Sequence, residues 1–129
     1  MKRAILAFVA GLVVWVLVVS LLNRGLRLFF EGYAAAEPAM TFTLAMKLAR
    51  LTLAALSSLA AGAACTVIAP SSTRVPWLLG ALLLAAFIPV HIQRWARFPV
   101  WYHLAFLASL VPLVVAGAVL ARKSDWSRP

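Results

Sequence analysis

Apolar residues in this chain gather into four long runs, and nearly every charged residue falls between them. The first run, Ala4 to Leu22, holds 19 residues without a charge behind Met1-Lys2-Arg3. At 1.5 Å per residue this is just enough helix to cross a hydrocarbon core of about 30 Å. A signal peptide has a shorter apolar core, of roughly 7 to 15 residues, so the run is read as an uncleaved span. Ala34-Ala35-Ala36 has the small-x-small form of a cleavage site, but it lies beyond Arg24 and Arg27.

Past Leu22 the pattern changes. Leu26, Phe29, Phe30 and Tyr33 fall at helical spacing on one side, and Arg24, Arg27 and Glu31 take the other. That predicts an amphipathic helix after the first span, either lying in the head-group plane or continuing the span beyond the bilayer surface. Gly32 and Pro38 end it, because the residue before a proline is pushed out of the helical region. Residues 23–43 form this connector.

The second span is expected over residues 44–69, with Thr41 or Thr43 as its cap. Its uncharged part, Leu51 to Ala69, holds seven Ala, one Gly, two Ser, two Thr and one Cys against six Leu, Val or Ile. Such a helix gains little from lipid. Ala54, Ser58 and Gly62 repeat at small-xxx-small spacing, as do Ser57, Ala61 and Cys65, and small residues let a second helix backbone come close. The span therefore belongs at the centre of a bundle, with Cys65 as a small packing residue. Pro70 to Pro76 makes a short antiparallel reversal.

The third span is expected over residues 76–92. Pro76 suits a first helical turn, Trp77 suits the membrane interface, and Pro89 is expected to kink or stop the helix. The fourth runs over residues 99–121. Ala105, Ser109, Pro112 and Ala116 stack on one side of it, a smooth face able to meet the second span. Residues 122–129 are a polar tail. The fold class is an all-α integral membrane bundle of four transmembrane helices in up-down arrangement, a single domain spanning residues 1–129.

Composition agrees with this pattern. Hydrophobic residues make up 65% of the chain and the mean hydropathy is +1.01, outside the range of a soluble domain. The net charge of +9 would raise nucleic-acid binding in a soluble protein. Here the Lys and Arg residues stand in ones and twos at helix ends, with no run of four, so their partner is the lipid head group and not nucleic acid. Four spans put both termini on one side. Lys2, Arg3, Arg74, Arg122, Lys123 and Arg128 lie on that side; Arg24, Arg27, Lys47, Arg50, Arg94 and Arg97 lie on the other. Assigning Lys47 and Arg50 to an extended second helix tips the balance toward cytoplasmic termini.

The tightest polar interruption, Ile88 to His103, carries the candidate chemistry. His91 ends one span and His103 starts the next, so an antiparallel hairpin puts both at the same membrane face. Imidazole pairs hold metal ions or haem iron, and Arg94 and Arg97 would suit haem propionates. The competing reading is two interfacial histidines, since no Cys, Asp or Glu lies nearby to complete a zinc site. Four spans in this length resemble the small multidrug resistance transporters, but the acidic residue that resemblance requires is missing from Ala4 to Leu22. For an enzyme, Ser57, Ser58 and Ser109 lack any base placed by sequence, so helix–helix hydrogen bonding is their expected role.

The segment Phe98-Pro-Val-Trp-Tyr-His-Leu104, continued by Phe106-Leu107 and Leu110-Val-Pro-Leu113, resembles a group of small uncharacterised bacterial inner-membrane proteins that open their last helix this way. The likeness runs from about Glu37 to Leu120. It implies a multi-pass bacterial inner-membrane protein and supplies no activity. The expectation is a non-enzymatic accessory or structural protein without a cofactor, packing with itself as a homo-oligomer or with a larger membrane complex through the smooth faces. The alternatives are an oligomeric small transporter or channel, and a haem- or metal-binding subunit using His91 and His103.

Overall fold

The computed structural model describes residues 2–123. Four long helices, α1 (Lys2–Phe29), α3 (Leu44–Ile68), α4 (Arg74–Gln93) and α5 (Val100–Lys123), form the bundle. A single helical turn, α2 (Tyr33–Ala36), lies between α1 and α3, and a 3-10 turn at Trp95–Arg97 joins α4 to α5. All four long helices are long and apolar enough to cross a membrane. The chain is a multi-pass membrane protein built as an all-α bundle. Of the expected tail, residues 124–129 lie outside the described residues.

The amphipathic stretch after Leu22 extends the first span: α1 remains helical to Phe29, and the chain turns at Gly32, whose φ of 82° is open to glycine at little steric cost. Thr43 is the cap of α3, its hydroxyl accepting from the Met46 amide at 3.2 Å. Pro89 does not stop α4, which continues to Gln93, and α5 passes through Pro112 as one helix. Helices in lipid tolerate such prolines because neighbouring groups re-satisfy the freed carbonyls.

The Ala-rich α3 is sandwiched between α1 and α5, as its composition predicts. On the α1 side Trp15 Nε1 donates to Ser58 Oγ at 3.1 Å, and Cys65 Sγ reaches the Ala7 carbonyl at 3.4 Å. Positions rise on one helix as they fall on the other, so α1 and α3 are antiparallel. On the α5 side the relation is different. Arg50 bonds Tyr102, and Thr66 bonds Ala118, each pair 52 residues apart, and Gly62 meets the backbone of Val114 at that same register. A constant offset means α3 and α5 run parallel. They approach so closely that a Cβ on Gly62 would collide with the Val114 carbonyl, and one on Gly117 with the Leu59 carbonyl. α4 packs antiparallel on α5, with His91 beside His103 and Gly80 beside Val111, and makes a much thinner seam with α1.

This arrangement corrects the expected face of α5. Ala54, Ser58 and Gly62 are buried on α3, but Ala105 is exposed and Ser109 and Ala116 are only half-buried. α5 presents Val114, Gly117 and Ala118 to α3 instead. Gly117 lets the backbones touch more closely than an alanine would, which explains why the alanine-serine stripe is left outside.

Candidate functional site

The end of the bundle away from the termini is closed by polar side chains from every element. Arg27 near the end of α1 pairs with Glu37 after α2, Nε to Oε1 at 2.6 Å and Nη2 to Oε2 at 3.0 Å. Asn23, one turn earlier, donates from Nδ2 to Glu37 Oε2 at 3.1 Å and accepts from the Tyr33 hydroxyl at 2.7 Å. Tyr33 is fully buried, and its hydroxyl also accepts from Arg50 Nη1 at 2.7 Å. Arg50 Nε donates in turn to the Tyr102 hydroxyl at 3.1 Å. Charge-assisted bonds from Arg27, reinforced by Asn23, hold the Glu37 carboxyl below its ordinary range, while burial pushes the Tyr33 phenol up.

Aromatic rings hold this network in place. Tyr33 stacks on Phe42 with centroids 5.2 Å apart, Phe42 on Phe98 at 5.9 Å, and Phe98 on Tyr102 at 4.4 Å. The Arg50 guanidinium carbon lies 4.7 Å from the centre of the Phe42 ring, a cation–π placement. The arginine therefore has a phenyl face and two phenol oxygens around it, all electrically neutral. The carboxylate of this cluster, Glu37, is already bound by Arg27 and Asn23.

His91 and His103 meet as their spacing predicts. Their Nδ1 atoms are 2.7 Å apart, and the rings are 6% and 0% exposed, respectively, so they are core residues and not head-group anchors. His103 Nε2 lies 3.1 Å from the Trp95 carbonyl, which only accepts, so that nitrogen carries the proton. In a neutral ring His103 Nδ1 is then the acceptor, and His91 Nδ1–H donates to it. His91 Nε2 is consequently an acceptor, with no hydrogen-bond partner among the described residues. Trp95 stacks on His103 at 4.5 Å with the planes 7° apart, fixing the ring.

The haem reading fits this geometry poorly. The cavity beside the two rings is about 60 Å³, far below the volume of a macrocycle. Arg94 reaches the Met40 sulfur at 3.9 Å and Arg97 the Ala39 carbonyl at 3.0 Å, so both tie the hairpin to the connector. Among the described residues no third His, Cys, Asp or Glu joins the pair to make a metal-binding group.

A larger cleft of about 290 Å³ adjoins this small cavity. Its polar walls are Ser20, Asn23, Glu37, Arg50, Arg94 and Tyr102, and its apolar walls include Trp15, Val19, Leu53, Phe87 and Phe106. The helix-packing residues Ala54, Ser58 and Gly62 belong to the core and line neither space. Sequence reasoning took Lys47 and Arg50 as an interfacial pair and missed the network around Arg50. The available signal was position: α3 begins at Leu44, so Arg50 stands nearly two turns inside a span, where a cation calls for a partner.

No protein-family model, curated protein or solved structure matches the chain.

Proposed function

We propose that this chain is a non-enzymatic protein of the bacterial inner membrane whose rim cleft receives an anionic group. One observation carries the reading: among the described residues the Arg50 guanidinium hydrogen-bonds only to neutral phenols and shares its cleft with Arg94, while the one carboxylate on the cleft wall, Glu37, is already paired with Arg27. A partly buried cation with no anion in direct contact is unfavourable unless something negative completes it. Phosphate and carboxylate are the groups whose geometry suits the guanidinium fork. With cytoplasmic termini, the cleft opens toward the outer leaflet.

The test is titration of the detergent-purified full chain with inorganic phosphate and with short-chain anionic lipids, followed by calorimetry. Saturable binding that Arg50→Gln weakens at least tenfold supports the reading. Equal affinity for wild type and variant, with both folded by circular dichroism, overturns it.

A second reading, self-association or docking to a larger membrane complex, is favoured by a separate observation. The Ala105, Ser109 and Ala116 face of α5 is left outward by the bundle, and small residues in lipid allow close helix contact. Ser109→Cys should then crosslink between copies, or to a co-purifying subunit, in native membranes. A strictly monomeric, uncrosslinked chain there rules this reading out.

A further inference from the structure

We infer that the cleft is a lipid site: an anionic phosphodiester lipid with a hydroxyl-bearing head group enters sideways between α1 and α4, its phosphate at Arg50 and Arg94 and its tail against the apolar wall. The inference rests on the anion reading above and names the ligand class. It comes from how the walls are distributed. Arg50, Arg94 and Tyr102 give donors at the rim, while Trp15, Val19, Leu53, Phe87 and Phe106 continue the same cleft as hydrocarbon and aromatic surface. A free phosphate would use only the upper half of that space. An amphiphile uses both, and about 290 Å³ is close to the lower end of small-ligand pockets.

The route follows from the packing. α1 and α4 make far less contact than α3 with α5, α1 with α3 or α4 with α5, so the wall they share is a thin one. Trp15 and Phe87 face each other across it with centroids 5.1 Å apart, one turn of α1 beyond the place where Gly11 lies against Leu79. A lipid chain lying in the bilayer meets this seam without leaving hydrocarbon, whereas a water-soluble ligand reaches the cleft only from the rim.

Charge and hydrogen bonding select the head group. Arg50 and Arg94 leave the cleft net positive after Glu37 is matched with Arg27, which disfavours an ammonium head group next to the phosphate. His91 adds an acceptor. Its Nδ1–H is committed to His103, so Nε2 offers a lone pair, and His91 lines the adjoining cavity with Arg50 and Arg94. A head-group hydroxyl next to the phosphate is the donor that this lone pair accepts.

The experiment uses the full chain in nanodiscs of phosphatidylcholine containing equal small fractions of phosphatidylglycerol, phosphatidylmethanol and phosphatidylethanolamine, with retained lipid read by native mass spectrometry. Phosphatidylmethanol matches the charge of phosphatidylglycerol and lacks its hydroxyls. The expected order of retention is phosphatidylglycerol, then phosphatidylmethanol about fivefold lower, the step of one ordinary hydrogen bond, then phosphatidylethanolamine. Arg50→Gln and, should that variant misfold, Arg94→Gln should abolish the preference for both anionic lipids. His91→Phe should erase only the gap between the two anionic lipids.

Equal retention of all three lipids overturns the lipid inference. If tail-free glycerol phosphate or inorganic phosphate still binds the purified chain in that case, the anion reading survives and only its extension to lipid is lost. Absence of binding by any of these anions removes both. Equal retention of phosphatidylglycerol and phosphatidylmethanol by wild type overturns the assignment of the hydroxyl to His91.

Discussion

Ser58 holds two hydrogen bonds at once: its hydroxyl donates to the Ala54 carbonyl at 2.8 Å and accepts from the Trp15 indole at 3.1 Å. In lipid the indole N–H has no water to fall back on, yet the unfolded helices also find partners, so one such bond contributes about 1 kcal/mol. Ser58→Ala should lower unfolding free energy in detergent by about that amount, and Trp15→Phe combined with it should add less than the two separate losses. Glu37 gives a pH signature. Its folded carboxyl is held below the ordinary value, so its stabilisation is complete above about pH 5 and is lost as pH falls through the folded value. Amide protection factors in the connector, corrected for the intrinsic pH dependence of exchange, should therefore fall on acidification, and Glu37→Gln should remove that dependence. At neutral pH the variant should cost about 1 kcal/mol or less, because Arg27 is 52% exposed. Residue-level contacts of this kind were only partly legible in the sequence. The His91–His103 meeting followed from a hairpin with two histidines near its tip. The links joining Asn23, Tyr33, Arg50 and Tyr102 depend on how four separate helices are placed and rotated, which no local period encodes.

At the level of elements, the decisive contact is the backbone touch between α3 and α5. Gly62→Ala would drive a methyl into the Val114 carbonyl, and since backbone cannot step aside like a flexible side chain, the helices must separate. We expect a loss of about 1 to 3 kcal/mol or more. Gly25→Ala is the internal control, since nothing lies within 4 Å of the added methyl. That change should be neutral or stabilise by up to about 1 kcal/mol, the helix propensity gained. Denaturation of both variants in the same detergent decides the matter: comparable losses would mean that α3 and α5 are not in contact. The last three helices were readable to within a few residues, because charge exclusion from hydrocarbon writes the limits of a span into the sequence, whereas α1 stays helical seven residues past its uncharged run. The central place of α3 was readable too, from its shortage of large apolar residues. Which stripe of α5 it meets was not, since two small-residue faces compete and Gly117 permits the closer approach.

For the molecule as a whole, both described ends of the chain lie at the pole opposite the Arg50 cluster, where Arg122 Nη2 reaches the Ser72 carbonyl at 3.5 Å and ties the last helix to the loop between α3 and α4. A phosphatase reporter fused after Pro129 should be silent and a fluorescent one bright if that pole is cytoplasmic; the reverse pattern would move the anion cleft to the inner leaflet. The parallel pairing of α3 with α5 also bears on biosynthesis. Helices that leave the ribosome as neighbours can join as hairpins, but this contact has to wait for the final segment. Until α5 arrives, Gly62 and Thr66 have no α5 backbone to meet. A chain stopped short of Val100 would present that bare flank to the bilayer, a mark by which membrane quality control could tell unfinished copies from finished ones.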